Sequence, residues 1–186
     1  VSGATAAGVG GNVSEARRRF LSIVLGSVLA SCALGIALDL VTANVAVEYF
    51  TVHHPRIVPT ENPWILAVVW GIGASWWFGA IAGGIVATIN HRRARPLPPR
   101  RILRWVAVAC VALWLSMIAI LLAVYAIAGT IPDEKRPPTF DHDRRLMAVA
   151  MAHQFEYLLG GIALILIAIA TWRTRVAEDP SRRDSA

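Results

Sequence analysis

The chain reads as all-α: a four-helix transmembrane bundle, up-down-up-down, with both termini cytoplasmic. Three observations predict this. Four apolar stretches, at residues 20–38, 64–89, 102–128 and 146–172, each approach or exceed the 20 or so residues that cover a bilayer's hydrocarbon. With no water there to satisfy an exposed backbone, such segments are helices. The connections between them are short, which favours antiparallel neighbours. The basic residues are segregated by side: 13 of the 18 fall at 17–19, 92–104 and 173–183, all on one face of a four-span arrangement. The positive-inside rule makes that face cytoplasmic.

The elements follow in order. Residues 1–16 are small and glycine-rich and predict a disordered tail; residues 17–175 form the membrane domain. Leu29-Ala30-Ser31-Cys32 resembles a lipoprotein cleavage box, but the apolar run continues to Leu38, so an uncleaved first helix is expected. The connection from Asp39 to Pro63 is the longest. Its first half, to Phe50, either prolongs the first helix or folds back along the membrane surface. Its second half carries Pro55, Pro59 and Pro63 and is irregular. The second span is rich in glycine, and Gly79-x-x-x-Gly83 is the small-xxx-small pattern of close helix contact. That face serves packing inside the bundle, or a membrane-protein partner or second copy. Pro96, Pro98 and Pro99 among arginines make the next loop a rigid, solvated turn before the third span. A charged, proline-rich loop at 130–145 precedes the fourth span, and residues 176–186 predict a second disordered tail.

The charge of +6 belongs to orientation and anionic lipid, and nucleic acid is not an expected partner. The location expected is a bacterial cytoplasmic membrane, crossed several times. Cys32 and Cys110 fall at different depths and form no C-x-x-C, which predicts buried thiols and gives no support to a redox relay. Trp64, Trp105 and Trp172 sit near span ends, where an aromatic belt is expected. Trp70, Trp76, Trp77 and Trp114 lie deeper, and each indole N–H needs a partner there. They fill bundle space, or, with Trp70 and Trp77 foremost, line a cavity for a lipid, quinone or other flat apolar ligand.

The polar residues of the spans carry the most information. Asp39 lies 19 residues above Phe20, His153 lies 19 before Trp172, and Tyr125 lies 20 after Trp105. At about 1.5 Å per residue all three stand about 28–30 Å from the basic face. Glu156 is one turn deeper, and His153, Glu156, Tyr157 and Gly160 share one helix face. An ionisable group facing lipid costs at least about 2.5 kcal/mol, so that face turns into the bundle or toward a wet pocket. Above this layer lie Glu48, Tyr49, His53, His54, Glu61, Asp141, His142 and Asp143. Histidines among carboxylates are the material of a transition-metal site, with His54, His153 and Glu156 as its ligands. The competing readings are a hydrogen-bonded polar plug and a path for protons or small solutes. Serine proteolysis lacks a histidine level with Ser75 or Ser116. No phosphate-cradling loop with its lysine is present. No catalytic motif identifies a reaction.

The stretch Asp-Leu-Val-Thr-Ala-Asn-Val-Ala-Val-Glu-Tyr-Phe-Thr-Val-His-His-Pro, residues 39–55, resembles a family of uncharacterised bacterial multi-pass membrane proteins that carry D-x-V-T-A-x-V-x-x-E-Y-F-T-V-x-H-P after their first span. The likeness extends through Trp70-Gly71, Trp76-Trp77 and Gly79 to Ala152-His153 and Tyr157, spanning roughly residues 25–172. It implies a four-span inner-membrane protein, with Asp39, Thr42, Glu48, Tyr49, His54, Trp77, His153 and Tyr157 as functional positions. It brings no activity. Where the family stretch has glycine this chain has His53, so His54 is the histidine to favour.

Three functions are therefore expected in order: a non-catalytic accessory or scaffold component; a metal- or cofactor-binding protein, redox included; and a small-solute or proton conductor. The second would use Glu48, His54, His153 and Glu156, and the third Asp39 and Glu156; the candidate polar site as a whole is Asp39, Glu48, Tyr49, His54, Tyr125, His153, Glu156 and Tyr157.

Overall fold

Apolar composition and chain length produce four long helices in a computed structural model, which describes residues 4–174 and their side chains from residue 13. They are α1 (Ala4–Val45), α3 (Pro63–His91), α4 (Pro99–Gly129) and α5 (Phe140–Arg173), with a single turn α2 (Glu48–Thr51) and a 3-10 turn at Asp133–Lys135. All four long helices have the length and apolar character to cross a membrane, and no strand occurs among the described residues. The fold is the expected all-α bundle of a multi-pass membrane protein.

The helices outrun the predicted spans. α1 starts at Ala4, where a disordered tail is expected up to residue 16. Nothing in that stretch breaks a helix strongly, and Glu15 pairs with Arg19 one turn on, at 3.3 Å. The tail expected at 176–186 lies outside the described residues. At its other end α1 continues through Asp39 to Val45, so the first half of the long connection prolongs the helix. The chain then breaks at Ala46–Val47, and α2 returns Phe50 to a buried cluster with Ala43 and Leu66. Burying such a ring contributes about 1.5–3 kcal/mol. Residues 52–62 are irregular, as their prolines require. α3 restarts at Pro63, capped by Asn62, whose Oδ1 accepts from the Trp64 and Ile65 amides.

Glycine sets the closest contact. Gly71 lies against the backbone of Gly35 and Ile36, Gly79 against Ser27 and Val28, and Gly83 against Val24 and Ser27. Ser31 donates across this seam to the Ser75 carbonyl at 3.0 Å. Gly71, Gly79 and Gly83 of α3 are therefore covered by α1 of the same chain, while a Cβ at Gly73 or Gly84 would meet nothing within 4 Å. The ring order is α1, α3, α5, α4. The α1–α3 seam is the tightest and α3–α5 the sparsest, with Phe78 resting near Gly160.

The arginine-rich end is tied together by polar contacts. Asn90 donates to the Leu97 carbonyl and accepts from its amide, at 3.1 and 2.8 Å. The Arg93 guanidinium donates to the carbonyls of Thr171, Trp172 and Thr174, three groups that the end of α5 leaves without helical partners. At the opposite end Arg136 closes α4 in the same way, donating to Ile131 and Gly129.

Candidate functional site

The depth count brings α1 and α5 together where it predicts. His153 on α5 faces Asp39 on α1, with Nε2 3.6 Å from Oδ1. Its Nδ1 lies 3.7 Å from the Glu156 carboxylate, one turn along α5. Asp39 is buried, its side chain 6% exposed, and His153 and Glu156 are largely covered, at 11% and 18%. The Thr42 hydroxyl donates to the Leu38 carbonyl at 3.2 Å, so its oxygen accepts from His153 Nε2 at 3.3 Å.

α2 supplies the roof. The Tyr49 ring stacks on His153 with centroids 4.9 Å apart and planes 6° apart, and Phe50 meets the same imidazole edge-on. His54 Nδ1 pairs with the Tyr49 carbonyl at 2.8 Å, while its ring packs against Trp70. Burial, and then the neighbouring Tyr157, Asp39 and Glu156, push the Tyr49 phenol up to about 12. Its hydroxyl is a donor throughout the physiological range.

Below this polar cluster a cavity of about 320 Å³ runs down the bundle. Asp39, Tyr49, His54, Trp70, His153, Glu156 and Tyr157 line its head; Leu34, Phe78, Leu113, Leu164 and Ile167 line its body. From α3, Trp70, Ala74, Phe78, Ala82 and Val86 reach it in steps of four, and Ser75 and Gly79 join them from the side that meets α1. The buried Trp70 indole N–H at the head has no hydrogen-bond partner. Tyr157 is 49% exposed and stands at the cavity's edge. The arrangement can hold an apolar body under a hydrogen-bonding head.

Six of the expected site residues thus gather: Asp39, Tyr49, His54, His153, Glu156 and Tyr157. Two do not. Tyr125 has the right height but the wrong bearing; its ring lies under the Arg144 guanidinium, 4.7 Å away. Glu48 points to the rim, 3.8 Å from His142. Of the cavity tryptophans expected, Trp70 is inside and Trp77 is not; it is 43% exposed on the outer face of α3. Trp114 finds its partner in the Ala37 carbonyl, at 3.2 Å. Both cysteines are free, and Cys110 lines the cavity wall.

The expected metal set of His54, His153 and Glu156 is not formed. The described residues hold no group of three His, Cys, Asp or Glu side chains arranged for an ion. Asp39 and Glu156 approach different nitrogens of one imidazole, and His54 turns its Nδ1 to a backbone carbonyl, so the donors do not converge. Sequence reasoning passed over Phe50, Phe78 and the cavity role of Cys110. Only the step of four from Trp70 to Ala74 and Phe78 could have exposed one of them.

Fold and site together define a four-helix multi-pass membrane protein with an amphiphilic internal cavity. Comparison with protein-family models, with curated proteins and with solved structures finds no match for the chain.

Proposed function

We propose that this protein is a non-catalytic membrane component that holds a small amphiphile in its bundle, at the service of a larger membrane process. The cavity carries the reading: its volume is that of a small-molecule site, its walls are mostly apolar, and its ionisable groups gather at one end. The close α1–α3 contact at Gly71, Gly79 and Gly83 supports the reading by holding two walls of that space together. By the positive-inside rule the arginine-rich end lies in the cytoplasm of a bacterial cell, which puts the polar head near the outer surface. A reporter fused after Arg95 and active only outside the cytoplasm would reverse that orientation.

The test of occupancy uses N-phenyl-1-naphthylamine, an uncharged flat fluorophore, with protein in detergent or nanodiscs. Saturable fluorescence enhancement is expected, and Ala163→Phe, which fills the cavity wall, abolishes it. Enhancement that persists unchanged in a correctly folded Ala163→Phe protein would refute the reading.

A second reading, proton or small-solute conduction, is favoured by the series Asp39, His153, Glu156, in which one imidazole lies between two carboxyls. Flux into proteoliposomes that Glu156→Gln stops would support it; no flux, or flux indifferent to that change, would eliminate it.

A further inference from the structure

We infer that the cavity's occupant is a lipophilic organic cation, an ammonium or phosphonium centre carrying apolar groups. The inference rests on the proposed cavity function and names its ligand class. Three observations support it. First, the lining contains two carboxyls, Asp39 and Glu156, and no lysine or arginine. The one basic group that both approach is His153, at 3.6 and 3.7 Å, beyond hydrogen-bond length, so neither carboxyl is locked to it. His54 also lines the head; with both imidazoles neutral the head's charge runs from zero to minus two, and each imidazole that takes a proton raises it by one. An anionic head group, phosphate or carboxylate, would meet no permanent positive charge there.

Second, the head is walled by aromatic rings. Tyr49, Phe50 and Trp70 surround it, and Tyr157 stands at the edge. A cation over such faces is attracted by the ring quadrupoles, and alkyl or aryl groups on the cation gain contact with the same rings. A small hydrated ion gains none of this and would need converging oxygens, which the cluster does not provide. Third, the body below is mostly apolar, bounded by Leu34, Phe78, Leu113 and Leu164, with Ser27, Ser31, Ser75 and Cys110 as uncharged polar groups among them. A substituted cation fits the division of the space: charge at the carboxyls, hydrocarbon below.

The experiment uses tetraphenylphosphonium and tetraphenylborate, which match in shape and differ in the sign of charge. Each is titrated against bound N-phenyl-1-naphthylamine on the full-length protein in nanodiscs of uncharged lipid. Compared at equal amounts bound to the lipid, since the interfacial dipole potential draws the borate in more strongly, tetraphenylphosphonium is expected to displace the probe at least about tenfold more effectively than tetraphenylborate, the scale of one partly screened charge interaction. Glu156→Gln and Asp39→Asn are each expected to erase most of that difference. Circular dichroism and monodisperse elution check separately that the variants fold. If the probe binds but the two ions displace it equally, or the borate is favoured, the cation inference is overturned and the cavity reading survives. If the probe itself does not bind, both fall.

Discussion

The main-chain contact of α1 with α3 at Gly71 gives the fold its sharpest test. A Cβ added at Gly71 would lie 2.5 Å from the Ile36 nitrogen, 2.6 Å from its Cα and 2.7 Å from the Gly35 carbonyl carbon. All three are main-chain atoms, so no side chain can move aside. Ordinary contact begins at 3.4 Å, which leaves the new methyl about 0.9 Å short. α1 and α3 must separate by that amount, stretching the 3.0 Å Ser31–Ser75 bond past useful length. Overpacking of this kind costs about 1–3 kcal/mol, against about 1 kcal/mol gained from alanine's better helix propensity. Gly73 is the internal control: two residues along the same helix, a Cβ there meets nothing within 4 Å. Gly73→Ala should be neutral or slightly stabilising. The pair should therefore differ by about 1–3 kcal/mol, up to roughly a hundredfold in the unfolding constant. Unfolding in mixed micelles by increasing dodecyl sulfate, followed by tryptophan fluorescence, reads the difference. Equal stability of Gly71→Ala and Gly73→Ala would refute the glycine seam as the element that holds the bundle.

Three further outcomes are expected. Asn90→Ala leaves the amide and carbonyl of fully buried Leu97 without partners and should lower stability by about 2–4 kcal/mol in the same titration; a loss under 0.5 kcal/mol would mean the loop is held otherwise. Arg93→Ala removes charge-assisted bonds to three carbonyls and should cost about 1.5–3 kcal/mol, with faster hydrogen exchange confined to the end of α5; unchanged exchange there would dismiss the clamp. Tyr49 has its phenol raised from 10.0 to about 12, so the folded state keeps a proton that the unfolded state loses. Its contribution is complete below pH 10 and declines as pH rises toward 12, and Tyr49→Phe should flatten that part of the Tm-against-pH curve; a parallel curve would contradict the burial of Tyr49.

Height along the membrane was legible in the sequence, and bearing around each helix was not. A fixed rise per residue is enough to put Asp39 opposite His153, and the i, i+3, i+4 rule is enough to join Glu156 and Tyr157 to it. Tyr125 shows the limit: its height is right, but only the packing of α4 decides that it faces Arg144. Trp77 shows the same limit on α3. It is seven residues from Trp70 and so close to the same side of an isolated helix. Yet the row facing the cavity advances by fours, set by the glycines that fix α1, and by Phe78 it has turned away from Trp77. The metal expectation failed for a related reason, since composition places histidines and carboxylates together without saying whether their lone pairs converge. The extension of α1 to Ala4 was missed because glycine content was weighed above the absence of any strong breaker.

The sparse α3–α5 seam, where Phe78 lies 3.5 Å from the Cβ position of Gly160, changes what binding strength means for this protein. A guest that arrives through that side comes from hydrocarbon, already stripped of water. Its hydrophobic transfer belongs to partitioning into the bilayer and adds nothing to the final step. What discriminates among guests is then only the polar head of the site, acting on molecules the bilayer has concentrated. Occupancy should follow the guest's mole fraction in the lipid. At fixed total ligand, doubling the lipid in a proteoliposome should halve the apparent affinity of a strongly partitioned compound, whatever its concentration in water.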